Sequence, residues 1–297
     1  MEVALQIVIN SLVAGSLYSL AAAGFTLIFG VLRVAHFAHG DVAMVGAYVA
    51  LAVVALWGGQ ASVGTMAVGL GAGIVASMAV GVLVERWTYR PLRGAPAMQI
   101  LIAAIAVARL LQSILQMTAG SSIQMFPIAQ QAPLVIGGAR ITPVQLTVLG
   151  VSALLFTGLY FLINRTHLGA QIRAVADNPA LARVQGIPVE RVTMVVFACS
   201  SALAAVAGVL QGLVINIHPA MGFVLVLKAF AAVVLGGLGS IPGAIIGAFA
   251  LGLFENVGAW YTSGIWKEPI AYLVLLLMLL IKPSGLLGRS TGEEVKL

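Results

Sequence analysis

NRTHLGAQIRAVADNPALARVQGIPVER, residues 164–191, is a polar stretch set between two apolar runs, 141–163 and 192–215, each long enough to cross a bilayer as a helix. That alternation decides the fold, because a soluble core does not separate membrane-length runs by a charged loop. Four arginines sit in the stretch, Arg165, Arg173, Arg183 and Arg191. Loops rich in Lys and Arg stay on the cytoplasmic side, so 164–191 is expected there. The loop also carries its own helix punctuation. Asp177 or Asn178 suits an N-cap, Pro179 the first helical position and Gly186 the stop. Leu181, Val184 and Ile187 recur at three-residue spacing and give the short helix an apolar edge. A membrane protein that displays a capped amphipathic helix to the cytoplasm is equipped to dock something. The plainer reading is a solvated loop whose arginines only fix topology.

The rest of the chain agrees with a membrane setting. It is 61% hydrophobic and 8% charged, with a mean hydropathy of +1.09, whereas a soluble domain carries about 25% charged residues. The net charge of +6 is no nucleic-acid footprint, because the positive residues cluster at span ends, where topology explains them. Cys199 is the single cysteine, so no intrachain disulfide forms. The start, MEVALQIVINSLVAG, lacks a basic stretch before its apolar run and reads as a first span rather than a signal peptide.

Apolar runs cover 4–29, 42–58, 62–84, 97–118, 141–163, 192–215, 223–238, 241–262 and 268–281, the second and seventh short and Gly-interrupted. They predict one all-α polytopic membrane domain over 1–297, with about 8–10 transmembrane helices. The loop with Arg86, Arg90 and Arg93 is expected on the cytoplasmic side with 164–191, as is the tail with Lys282, Arg289 and Lys296. Counting back puts the N-terminus outside, unless a re-entrant segment around 30–45 reverses it. The segment 119–140, with Pro127, Pro133 and Arg140, then faces outward and is long enough to meet an extracytoplasmic partner.

An internal echo links the halves. GFTLIFGVLRVAHFAHGDVAMVGAYVAL (24–51) and GFVLVLKAFAAVVLGGLGSIPGAIIGAFALG (222–252) each join an apolar run to a polar or Gly-rich break and then a small-residue helix. Paired interrupted segments, here read as an inverted repeat, point to a transporter's substrate path. Glycines such as Gly243 and Gly247 also serve close helix packing.

No GxxxxGK[ST] phosphate loop occurs, no Cys/His pairing has metal spacing, and no Ser/His/Asp order suggests a nucleophile. His36 and His39 lie three apart with Asp41 nearby, but a polar break at a span end accounts for them better than a metal. The chain is therefore read as no enzyme, with no catalytic residue, metal or cofactor of its own. Charges inside spans are costly and often functional. Lys228 with Glu255 is one pairing to expect. Arg109 in AIAVARLLQS reads as a structural anchor in preference to a path-lining residue, and Glu255–Asn256 is open between the two roles.

Three segments together resemble one family: NSLVAGSLYSLAAAGFTLIFGVLRVAHFAHGDVAMVGAY (10–48), RAVADNPALARVQGI (173–187) and VVLGGLGSIPGAIIGAFALGLFEN (233–256). They are similar to the membrane permease of branched-chain amino-acid ABC importers, the Liv type, closer to its H than its M subunit. Close relatives of that family serve urea, short amides and other amino acids. The resemblance implies a multi-pass subunit of the bacterial inner membrane that pairs with a second, similar permease. Two cytoplasmic ATPases, which use ATP-Mg, would dock beneath, and a periplasmic solute-binding protein would deliver cargo. Residues 164–191 then match the coupling segment, with Arg173, Asp177, Asn178, Pro179, Leu181, Arg183 and Gly186 as docking candidates. A zwitterionic cargo with an apolar side chain needs donors for its carboxylate and an apolar wall. Helix N-termini at the breaks near His39–Asp41 and Gly239–Gly243 suit the first need. The candidate path is Phe37, His39, Gly40, Asp41, Met44, Phe230, Gly239, Gly243 and Glu255. Two rival readings are a secondary transporter or channel that needs no ATPase, and a membrane scaffold that conducts no solute.

Overall fold

The computed structural model describes residues 2–57, 62–128, 132–282 and 285–287. Its helices are α1 (Glu2–Leu32), α2 (His39–Leu56), α3 (Val63–Val84), α4 (Ala97–Ala119), α5 (Pro143–Arg165), α6 (His167–Asp177), α7 (Pro179–Val184), α8 (Val189–Val214), α9 (Met221–Gly236), α10 (Ile241–Tyr261) and α11 (Lys267–Ile281). Among the described residues eight helical segments are long and apolar enough to cross a membrane, and α9, at 16 residues, is a shorter apolar helix. The expected all-α membrane architecture is therefore present. One local addition was not expected. Residues in the 119–140 segment form a two-stranded hairpin, β1 (Leu134–Ile136) and β2 (Ala139–Ile141), turned by Gly137 and Gly138 at positive φ. Arg289 and Lys296 lie outside the described residues.

The loops sort to two ends of the bundle. At one end, Gln6 on α1 exchanges hydrogen bonds with the Arg140 backbone at 2.8 and 3.2 Å, and Gln124 pairs with Ile217 through two bonds of 2.8 Å. At the other, Arg33 reaches the Ala176 and Asp177 carbonyls, Arg90 pairs with Glu190, and the Leu286 and Leu287 amides bond the Leu235 and Gly236 carbonyls. The second end gathers Arg33, Arg86, Arg90, Arg93 and the arginines of 164–191. The chain passes between the ends at every long helix and at α2 and α9. No re-entrant reversal occurs at 30–45: α1 ends at Leu32, and α2 starts a new crossing at His39.

The core is a repeat. α1 packs most extensively on α10, and α3 packs broadly on α8. α2 packs on α3 and α8, and α9 on α10 and α1. Exchanging α1, α2 and α3 for α8, α9 and α10 maps these packings onto one another, and the two triplets run in opposite directions between the ends. The inverted repeat is therefore real, but its register differs from the sequence echo. The break at 33–38 corresponds to that at 215–220, whereas the echo aligned it with 237–240. The echo was drawn to Gly-rich composition, which the α9–α10 turn shares without occupying the equivalent place.

Small residues allow this packing. Without a hydrophobic force between helices in lipid, close van der Waals contact and interhelical hydrogen bonds carry association. Ser77 donates to the Val42 carbonyl at 3.0 Å and Ser200 to the Gly24 carbonyl at 2.9 Å. α4, α5 and α11 sit at the periphery, and their outer faces carry exposed Ile102, Leu110, Leu154, Phe161 and Leu276.

Candidate functional site

α2 and α9 are the shortest of the six helices in the repeated core. At 1.5 Å per residue their 18 and 16 residues reach about 27 and 24 Å, against a hydrocarbon core of about 30 Å. Their N-termini therefore lie inside the bundle, at breaks whose His36, His39 and Ile217 are buried. They meet at Gly40 and Gly222, where a Cβ on either residue would strike the other's backbone. Neither helix has a side-chain cap. Two positive helix ends thus converge at one crossing inside the protein, an arrangement suited to an anionic group.

Three assemblies, two polar and one aromatic, surround this crossing. In the first, Gln112 on α4 donates from Nε2 to Asp41 Oδ1 at 2.8 Å, and its Oε1 accepts from Arg109 Nη1 at 2.8 Å. Asp41 is fully buried and its Oδ2 has no partner. Arg109 has twelve residues of α4 before it and ten after, is exposed at the bundle surface, and lies over the Phe223 ring at 5.7 Å. An arginine at mid-span costs about 2.5–3.5 kcal/mol on insertion scales, so its retention demands a polar surrounding.

The second assembly is the expected Lys228–Glu255 pair. Lys228 Nζ lies 3.1 Å from Glu255 Oε1. Tyr18 on α1 donates to Glu255 Oε2 at 2.7 Å and accepts from Lys228 at 3.0 Å. The Lys228 ammonium also stands over the Tyr18 ring at 5.0 Å. The triad ties α1, α9 and α10 together. The third is aromatic. Phe37 and Phe230, both half-buried, lie 5.6 Å apart, with Phe25 at 6.4 and 5.8 Å from them. His36 bonds Tyr89 through Nδ1 at 2.5 Å. The His39 ring packs against Gly24 and the Ala21 backbone, and neither nitrogen forms a well-shaped hydrogen bond.

The structure thus brings His39, Gly40 and Asp41 to the helix crossing, with Phe37 and Phe230 beside it. Met44 lies one turn further along α2, in a cluster with Tyr48, Phe126, Ile217 and Met221. Gly239 and Gly243 lie elsewhere. Fourteen residues separate Gly222 from Gly236, about 21 Å along α9, and Gly243 packs on Gly236. Gly239, at φ 84°, serves the turn between α9 and α10. Sequence reading missed Tyr18 and Gln112, neutral residues whose importance depends on the charges they face.

An open depression of about 420 Å³ lies at the N-terminal end, lined by Gln116, Ser121, Asn216, His218, Pro219 and Ala220 among others. Burial lowers the His218 imidazole below its ordinary pKa, so that ring is neutral at pH 7.

At the arginine-rich end, 164–191 forms two helices rather than one. Thr166 caps α6 through a 3.0 Å bond from the Gly169 amide, a signal the loop reading passed over. Ile172 and Val175 bury its inner face. Asn178 caps α7, its Oδ1 accepting from the Ala180 and Leu181 amides at 3.0 Å, with Pro179 at the first position. Of the two expected caps, Asn178 therefore acts, and Asp177 closes α6. Gly186 takes φ 80° at the stop. Leu181 and Val184 are 61% and 84% exposed, so the apolar edge faces outward, with Arg183 beside them. Arg173 instead folds back to donate to the Ile163 carbonyl, covering the end of α5. Arg33 is the one described non-glycine residue at positive φ, 55°, and its Nη2 donates to the Ala176 and Asp177 carbonyls at 3.3 Å, closing the end of α6.

The family described as branched-chain amino acid transport system / permease component matches residues 7–282. The high-affinity branched-chain amino acid transport system permease protein LivH of Escherichia coli K12 is 37% identical over 300 residues, covering 98% of this chain and 97% of its own. BraD of Pseudomonas aeruginosa, with the same description, is 36% identical, covering 98% of each chain. A probable LivH permease of Methanocaldococcus jannaschii is 31% identical over 94% of this chain and 91% of its own. No solved structure matches the chain.

Proposed function

The chain belongs to the family of branched-chain amino acid transport system permease components, and from that premise we propose that it is a membrane-spanning half of an ATP-driven importer for branched-chain amino acids. The observation that carries this reading is the likeness to LivH and BraD over 98% of the chain. The permease works with a second permease, two ATPases on the cytoplasmic side and a solute-binding protein on the other. We assign the arginine-rich end to the cytoplasm, because basic loops stay there. That places both the N-terminus and the 420 Å³ depression outside, and the start of the tail at Lys282 inside.

In this reading α7 is the docking element. Leu181 and Val184 supply an apolar knob, Arg183 a charge for an acidic rim, and Asn178, Pro179 and Gly186 fix the helix that presents them. Arg173 and Asp177 hold the loop's own shape. ATP closes the partner ATPases, α6 and α7 move together, and the bundle passes between outward and inward openings. Nucleotide drives that change only through its differential affinity for the two states.

Arg33 connects the lever to the gate. It is the first residue of the 33–38 break that leads to His39–Asp41, and its guanidinium clasps the end of α6. Holding a non-glycine residue in the left-handed region costs about 1–2 kcal/mol, which the two bonds offset. Arg33→Gly relieves the backbone and removes the clasp. The expected outcome is an assembled complex that hydrolyses ATP but imports about tenfold less cargo per ATP. An unchanged uptake-to-hydrolysis ratio would remove Arg33 from the coupling route.

The function itself is tested by expressing the chain with a second permease and the ATPases, extracting gently, and measuring ATP hydrolysis. Stimulation by leucine-loaded binding protein supports the proposal. Stimulation only by urea or a short amide keeps the machine and changes the cargo. Intact chain with no ATPase bound favours a secondary transporter or channel.

A further inference from the structure

Among the described residues Arg109 is the one guanidinium that stands at mid-span with its side chain exposed. Three observations bear on what it faces. First, Gln116 lies seven residues on, two turns along the same face of α4, and Gln116 lines the outer depression. Second, Ala220, which lines the same depression, lies one turn before Phe223, the ring beneath the Arg109 guanidinium. Arg109 therefore shares one face of α4 and the start of α9 with the depression, about 10 Å along the helix from it. Third, Arg109 is oriented by Gln112, whose other amide end is fixed by buried Asp41, an acid with one oxygen still unpartnered.

The chemistry is specific. Arg109 offers the planar fork of donors that matches a carboxylate. The uncapped N-terminus of α9 lies beside it, with no acidic residue in its first turn. Phe223, 43% exposed, gives an apolar wall. With His218 neutral, Arg109 is the one cation on the α4 face below the depression.

We propose that Arg109, oriented by Gln112 and placed below the outer depression beside the start of α9, receives the carboxylate of the amino-acid cargo on its way through the permease. Gln112 is a positioning residue. This rests on the amino-acid reading above.

The test uses the whole complex in proteoliposomes with its binding protein. Arg109→Gln is expected to lower leucine uptake about 10- to 100-fold, with no recovery at saturating loaded binding protein, while Arg109→Lys restores part of it. On the unaltered complex without binding protein, millimolar leucine is expected to raise the thermal unfolding temperature. Leucinol, which lacks the carboxylate, is expected not to. Wild-type uptake by Arg109→Gln, or equal shifts with leucine and leucinol, would overturn the proposal. So would failure of Arg109→Gln to assemble with the second permease, which would make Arg109 a pairing residue. If no amino acid on the binding protein stimulates the ATPases, the amino-acid reading fails first, and the two failures are told apart.

Discussion

Glu255→Ala is expected to destabilise the permease by about 3–5 kcal/mol. The carboxylate is 1% exposed and Lys228 10% exposed, so removing it strands an ammonium inside the bundle and leaves the Tyr18 hydroxyl without its acceptor. Breaking one side of a buried pair costs more than the pair contributes, because the surviving charge remains desolvated. The double variant Lys228→Met with Glu255→Leu removes both charges and is expected to recover most of the loss. Thermal unfolding of the four proteins in one detergent gives the coupling energy directly. Equal stability for Glu255→Ala and the parent would mean the triad is hydrated, and would dismiss it as the tie between α1, α9 and α10.

Gly40→Ala is expected to abolish uptake, and to lower stability by about 1–3 kcal/mol. The added methyl meets the carbonyl of Gly222, which is helix backbone and cannot rotate aside. α2 and α9 must then separate at the point where both half-helices end. Gly239→Ala is the contrast. Nothing lies within 4 Å of the added carbon there, and the only penalty is the φ of 84°, worth about 1–2 kcal/mol. It is expected to keep measurable uptake. Radiolabelled leucine uptake at matched protein levels compares them, and a Gly40→Ala permease that transports normally would rule out the crossing as the moving part.

These contrasts show how unevenly the site was legible in the sequence. His39, Gly40 and Asp41 stood out because polar residues and glycine interrupt an apolar run. The same criterion pointed to Gly239 and Gly243, which break α9 from α10 at the far end of the bundle. A break is visible in one dimension, but its depth depends on how long the adjoining helices are and on what they cross. Lys228 and Glu255 were legible as charges in spans, and even as a pair. Tyr18 and Gln112 were not, since a tyrosine or glutamine in a helix is unremarkable until its partner is known. Nothing in the sequence distinguishes Arg33 from the other basic residues near span ends. Its left-handed backbone and its grip on α6 are consequences of tertiary placement.

The sequence by itself determined the membrane class, the approximate spans, the grouping of the basic loops, the capped α7 and the family resemblance. These follow from hydrophobic length, charge position and local capping, which act within a few residues or a single span and need no knowledge of neighbours. Tertiary structure alone decided the register of the inverted repeat, the meeting of α2 and α9 at Gly40 and Gly222, the Asp41–Gln112–Arg109 relay and the clasp of Arg33 on α6. Each joins residues distant in the chain through close backbone approach or a hydrogen bond. In a bilayer, where every helix is apolar, those few contacts rather than hydrophobicity select which helices meet.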